Sequence, residues 1–353
     1  MSMAYDLGAA ALRALPAEAA HRAAIQSLAL GLGPRAPADR YPRLKTTLAG
    51  MDLPNPIGLA AGFDKDAEAI GPLLRCGFGF IECGTVTPLP QVGNPTPRLF
   101  RLTEDEAVIN RMGFNNRGLE AAVARLSLPR PAGVVGVNIG ANKDSKNRIA
   151  DYVLGLQKVW PVARYVTVNI SSPNTPGLRG LQERGVLEEL VARLSEKRAA
   201  LGPWQGSRPI FLKVAPDLDV SAIAYIADVA VAYQLDGLIV ANTTITRPDT
   251  LTSPLREEAG GLSGAPLFAL STEVLRLFAQ ATEGRIALIG AGGVRDAATA
   301  LAKIKAGASA VQLYSALAYR GPGLVARIAR DLDALLAAEG FASVADAVGV
   351  SVR

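Results

Sequence analysis

Eight short apolar runs, rich in Val, Ile and Leu, recur along the chain between longer helical stretches, and this rhythm restricts the fold more than any other feature. They fall at 56–60, 78–83, 134–139, 165–170, 210–214, 237–241, 286–289 and 310–313, with Gly, Asn, Ser, Pro or Thr at their ends. Near-continuous apolar strands alternating with helices read as a parallel sheet buried on both faces. Eight such units in roughly 260 residues fit a closed barrel better than an open doubly wound sheet. The fold expected is a single (β/α)8 TIM barrel over residues 41–353. A small helical extension precedes it over residues 1–40, with helical patterns at Leu7/Ala11/Leu15 and Ile25/Leu28/Leu32 separated at Pro16. Residues 44–53, with Gly50 at a turn, are expected to form a hairpin that plugs the barrel bottom. The stretches 97–114 and 243–266 read as long βα loops, which on a barrel build the catalytic face.

With 49% hydrophobic and 20% charged residues the chain can bury a sizeable core. A net charge of +5 suits anionic ligands or an acidic membrane surface, but no basic stripe interleaved with aromatics argues for nucleic acid. The two cysteines, Cys76 and Cys83, imply no disulfide framework and read as small core residues. No apolar run approaches the ~20 residues of a spanning helix, and the start lacks the basic region of a signal peptide. An intracellular protein that does not cross a membrane is expected.

In a barrel of this kind the active site lies at the C-terminal strand ends. Those ends carry Ala61-Gly62-Phe63-Asp64-Lys65, Thr85, Asn138, Asn169, Ser171-Ser172-Pro173-Asn174, Lys213, Asn242-Thr243, Gly292-Gly293 and Tyr314-Ser315. Asn side chains pair donor with acceptor, as an amide- or imide-bearing ring requires. The lysines suit a carboxylate and an electron-rich cofactor ring. The segments after the seventh and eighth strands occupy the usual barrel phosphate site. No strand–GxGxxG–helix unit is present, so a mononucleotide fits better than a dinucleotide. The single histidine, His21, lies in the extension, which excludes a Ser-His-Asp triad or a multi-histidine metal site in the barrel. The base there is Ser, Cys, Lys, Tyr or a carboxylate.

The segment from Asn169 to Arg179, Asn-Ile-Ser-Ser-Pro-Asn-Thr-Pro-Gly-Leu-Arg, resembles the catalytic segment of dihydroorotate dehydrogenases. Ala60–Lys65, Asn110–Phe114, Val240–Thr244, Gly261–Gly264 and Gln312–Ser315 resemble further motifs of that family in the same order. Serine at position 172 and an N-terminal extension resemble class 2, whose acceptor is a membrane quinone. The resemblance implies FMN and the oxidation of (S)-dihydroorotate to orotate in pyrimidine synthesis, with Ser172 as base and hydride passing to flavin N5. It implies substrate contacts at Lys65, Asn110, Arg111, Met112, Gly113, Phe114, Asn169, Asn174, Asn242 and Thr243. Implied FMN contacts are Ala61, Gly62, Phe63, Asp64, Lys65, Thr85, Asn138, Asn169, Lys213, Ala241, Gly264, Gly293, Tyr314 and Ser315. Thr175 and the Phe114 loop are candidates for proton relay and lid, and His21 and Arg101 resemble positions lining a quinone access. No metal is implied. The expected setting is a monomer attached peripherally to the cytoplasmic side of the inner membrane, its extension forming the quinone entrance. A barrel cap or a subunit contact is the other role open to the extension.

Overall fold

The computed structural model describes residues 11–206 and 208–352. Among them, eight parallel strands close a barrel. In chain order they are β3 (Ile57–Leu59), β4 (Phe80–Val86), β7 (Val134–Ile139), β8 (Tyr165–Asn169), β9 (Ile210–Val214), β10 (Gly237–Val240), β12 (Ala287–Ala291) and β13 (Ala310–Leu313), with β13 paired back onto β3. All eight runs read from the sequence are therefore strands. The second extends to Val86 and the seventh to Ala291, so both reach further toward the mouth than their apolar cores suggested.

The barrel interior follows from the two-residue alternation of side chains along a strand. Phe80, Val134, Tyr165, Phe211, Ile239, Ile289 and Ala310 point inward near the strand starts and pack together. The Phe80–Tyr165 and Tyr165–Phe211 rings meet edge to face at 6.3 and 5.4 Å between centroids. Glycines on neighbouring strands make room for these rings: a Cβ at Gly136 would lie 2.0 Å from Tyr165, and one at Gly58 2.3 Å from Phe80. Two residues further along, the inward positions turn polar, with Glu82, Thr167, Lys213 and Gln312 all buried. The Glu82 carboxylate accepts from Asn138, Tyr165, Thr167 and Gln312 at 2.8–3.1 Å.

The hairpin forms as expected. Strands β1 (Thr46–Leu48) and β2 (Met51–Leu53) pair antiparallel around Ala49 and Gly50, whose φ of 46° and 76° are those of a type I′ turn. Leu48, Met51 and Leu53 join the lower interior cluster, so the hairpin forms a floor beneath the strand starts.

Helices follow the strands on the outside: α2 (Ile70–Arg75), α3 (Gly118–Leu126), α4 (Arg148–Val159), α5 (Val186–Gln205), α6 (Val220–Ala232), α7 (Phe268–Thr282), α8 (Ala297–Lys305), α9 (Ser315–Arg320) and α10 (Leu324–Ala338). Several begin where a side chain can satisfy a free backbone N–H. Asn147 and Asp219 accept from the third residue of α4 and α6, and Asp296 forms a capping box with Thr299 at α8.

The two long loops are not simple loops. β5 (Leu99–Leu102), β6 (Ala107–Asn110) and β11 (Gly261–Gly264) form a separate antiparallel sheet in the order β11-β6-β5, with Leu102, Ala107, Ile109, Leu251 and Leu262 as its own small core. In the extension, residues 11–13 are helical and α1 (Ala17–Ala29) follows Pro16, which marks the break. Leu7, the first residue of the expected pattern, lies outside the described residues. Ile25 and Leu28 of α1 are buried against the barrel, whereas Leu30 and Leu32 beyond it are 78% and 65% exposed. No helix among the described residues is long and apolar enough to cross a membrane.

Candidate active site

A cavity of about 1170 Å³ opens at the C-terminal strand ends and runs from the barrel mouth to the extension. Its inner end is polar. Ser172, on the segment after β8, is buried, and its Oγ accepts the Asn174 backbone N–H at 3.3 Å. Asn169, the last residue of β8, donates to Thr85 Oγ1 at 3.0 Å and accepts from Asn242 at 3.2 Å. Asn242 also donates to Ser171 Oγ at 3.0 Å, and Asn174 donates to Asn110 Oδ1 at 3.2 Å. These amides come from the strand ends and from the small sheet at the mouth, so strand position fixes where each one points.

Two lysines reach this end. Lys213, inward on β9, is buried and makes no hydrogen bond to any described residue. Burial lowers its pKa, while the negative Glu82 raises it. Lys65, half-buried, has its pKa pulled down to about 8, chiefly by burial. At the loop after β12, Gly292 and Gly293 have φ of 91° and 77°. A Cβ on Gly293 would lie 2.5 Å from the Phe268 side chain, so only glycine fits there.

The outer end is apolar, lined by Leu12, Leu15, Ala20, Ala24, Leu28 and Leu32 of the extension. Between the two ends His21, Phe63 and Tyr314 form an aromatic cluster, with His21 and Tyr314 each within 5.5 Å of the Phe63 ring centroid. Burial and the neighbouring Lys65 pull the His21 pKa down to about 4, which keeps the ring neutral. Arg101 donates to the Leu15 carbonyl and ties the small sheet to the extension. Arg98 pairs with Glu18 of α1 at 2.6 Å and holds the same sheet from its other end.

Of the residues expected to contact substrate, cofactor or quinone, Asp64, Asn138 and Arg111 do not line the cavity and the rest do; Thr175, expected as the relay, does not line it either. The Asp64 carboxylate turns away and accepts the Glu68 and Ala69 backbone N–H groups at 2.8 Å, a cap on the following segment. Asn138, at the end of β7, accepts from Thr85 Oγ1 and donates to Glu82, so it supports Thr85. Arg111 points outward, pairs with Glu258 at 2.7 Å and stacks over Phe100.

Sequence reasoning missed several residues. Glu82 anchors the polar interior, Ser263 meets Ser315 at 2.8 Å at the cavity wall, and Arg179 staples the site together. The Arg179 guanidinium donates to the Ser171 and Thr243 carbonyls, both at 3.1 Å, and to Asp217 at 2.9 Å. It therefore fixes the segments after β8 and β10 relative to each other. Its position at the end of the Ser172 motif was the available signal. The hydroxyl of Thr175, three residues after Ser172, is buried without a hydrogen-bond partner among the described residues.

A closed barrel with convergent amides and buried lysines at its strand ends, joined to an apolar annex, defines a (β/α)8-barrel enzyme. Comparison with known proteins narrows this class. The sequence pattern of the dihydroorotate dehydrogenase family matches residues 43–336. A protein of Agrobacterium fabrum named dihydroorotate dehydrogenase (quinone) is 52% identical over 342 residues, covering 97% of this chain and 94% of its own length. One of the same name from Rhodospirillum rubrum is 53% identical over 351 residues, covering 99% and 95%. The crystal structure of DHODH in complex with ferulenol from Eimeria tenella superposes with a TM-score of 0.91 at 40% identity, covering 95% of this chain and 96% of that one. The chain belongs to the dihydroorotate dehydrogenase family and is an oxidoreductase.

Proposed function

We propose that this protein oxidises (S)-dihydroorotate to orotate in pyrimidine synthesis, with FMN as its cofactor and a membrane quinone as electron acceptor. The observation that carries this reading is that one continuous cavity joins two unlike ends. It places a buried serine, an amide lattice and two lysines at one end and an apolar passage through the extension at the other. The residues present fit a flavin mononucleotide. Lys213 is a buried cation without a hydrogen-bond partner among the described residues, and the buried Gln312 Oε1 likewise lacks one. The Gly292–Gly293 loop leaves backbone free to approach a phosphate.

Lys213, Thr85, Asn169, Gly264, Gly293, Tyr314 and Ser315 would hold the flavin. When bound, FMN would supply the two-electron acceptor between substrate and quinone. Lys65 attracts the substrate carboxylate, and Asn110, Asn174, Asn242 and Thr243 pair with its amide and imide edges. Ser172 removes the C5 proton as hydride departs from C6, which leaves the C5–C6 double bond of orotate. An unassisted serine is a weak base, and the unpartnered Thr175 hydroxyl supports a relay that carries the proton onward. Phe114, at a φ of 55° on the cavity wall, serves as the lid. The exposed Leu15, Leu30 and Leu32 beside the apolar end support peripheral attachment to the cytoplasmic face of the inner membrane.

Dihydroorotate oxidation with a short-chain quinone tests the reading. Wild type turns over, and Ser172→Ala slows flavin reduction by about 10²–10⁴-fold while retaining the flavin. An inert wild type, or near-normal flavin reduction in Ser172→Ala, would sink it.

A further inference from the structure

Behind the glycine loop lies a charge that the site has not yet used. Lys303, on α8, is fully buried and has no carboxylate paired with it among the described residues. Its ammonium donates to Ser271 Oγ at 2.9 Å and Thr272 Oγ1 at 3.1 Å, both on α7, and lies 5.4 Å from the Phe268 ring centroid. Ser271 Oγ lies 3.0 Å from the Gly292 carbonyl, with Phe268 O at 3.2 Å as its other acceptor. A lysine on a helix ordinarily extends toward water, whereas this one turns into the protein. Burying an ammonium among hydroxyls alone is unfavourable, and burial pulls its pKa down to about 7. A nearby anion would offset that cost.

The geometry shows where the anion belongs. The Gly292–Gly293 bond is trans, so its C=O and N–H point in opposite directions. With the carbonyl held toward Ser271, the Gly293 N–H is turned toward the cavity that Gly293 lines. The ammonium donates to the hydroxyl and the hydroxyl to the carbonyl, so the peptide is polarised and its N–H becomes a stronger donor. We propose that Lys303, acting through the Ser271 hydroxyl, is the buried positive charge that positions and polarises the Gly292–Gly293 peptide toward a phosphate monoester in the cavity. This rests on the flavin reading above and adds the recognition of the cofactor's phosphate end. Lys303 is a positioning residue, since it reaches the ligand only through its neighbours.

Flavin affinity, read by fluorescence quenching on the full chain, separates this role from a structural one, because riboflavin lacks the phosphate. Lys303→Met keeps the side-chain length and is expected to weaken FMN binding by about ten- to hundredfold, leaving riboflavin affinity within about twofold. Ser271→Ala keeps the charge and cuts the link, so it is expected to weaken FMN by about three- to tenfold with the same riboflavin result. It also covers the case in which Lys303→Met does not fold. Equal losses for both flavins, or unchanged FMN affinity, would overturn the role of Lys303 and leave the flavin reading standing. A wild type that binds neither flavin would overturn both.

Discussion

On the proposed reading, Lys65 is a residue through which pH reaches the substrate pocket. Burial dominates its environment. Glu18 and Asp66 favour its charge, Arg98 and Arg22 oppose it, and the balance sets the pKa at about 8. The ammonium is charged below that value, so the free enzyme loses the pocket's cation as pH rises through 8. KM for dihydroorotate is therefore expected to climb by about tenfold per pH unit above pH 8, with kcat less affected. Lys65→Met should show a high KM at every pH, and a wild-type KM that stays flat to pH 10 would rule the role out. Residues at strand ends, such as Ser172, Lys65 and Lys213, were legible because the fold dictates where a strand end points. Glu82 and Lys303 were not. A lone acid inside Phe-Ile-Glu-Cys-Gly and a lysine inside Ala-Lys-Ile-Lys reveal their direction only once register and helix rotation are known.

Among the elements, the helix α1 shows how the extension is held. Ile25 and Leu28 bury against the barrel, Glu18 pairs with Arg98, and His21 packs neutral against Phe63 and Tyr314. The His21 pKa is depressed from 6.5 to about 4, so the undocked helix binds the extra proton. Docking is then favoured above pH 6.5 and weakens as pH falls toward 4. The hydrogen bond from Arg98 lowers the Glu18 pKa, which favours the charged carboxylate in the docked helix. Hydrogen exchange of α1 should be faster at pH 5 than at pH 7.5 relative to α4, and His21→Phe should abolish the difference. Equal protection at both pH values in wild type would contradict this account. The eight barrel strands were legible because each carries a short, mostly apolar run buried on both faces, although four of them also carry a polar residue inward. The sheet of β5, β6 and β11 was not, because its strands are four residues long and Gly261–Gly264 pairs with a segment about 150 residues earlier. Such pairing leaves no local pattern to read.

At the scale of the whole molecule, residues 11–40, the described part of the extension, contribute no barrel strand and no part of the floor hairpin. Removing residues 1–30 should therefore leave the barrel closed. Quinone turnover is expected to fall by at least about tenfold, while flavin reduction by dihydroorotate stays within about threefold. Equal losses in the two half-reactions would mean that the extension shapes the substrate end instead. The floor hairpin was legible, through Gly50 and the apolar residues flanking it. That the extension forms an entrance was expected from the family resemblance, but which of its residues line the apolar end was not legible, because that depends on how the extension lies across the mouth. Glu82 has a separate consequence for assembly. Its carboxylate gathers groups from β7, β8 and β13 across the lumen, and a slip of one residue in any of these strands would turn that group outward. A misregistered barrel would thus enclose an acid with too few donors, a penalty that purely apolar layers could not impose. One carboxylate serves in this way as a check on the threading of the whole barrel.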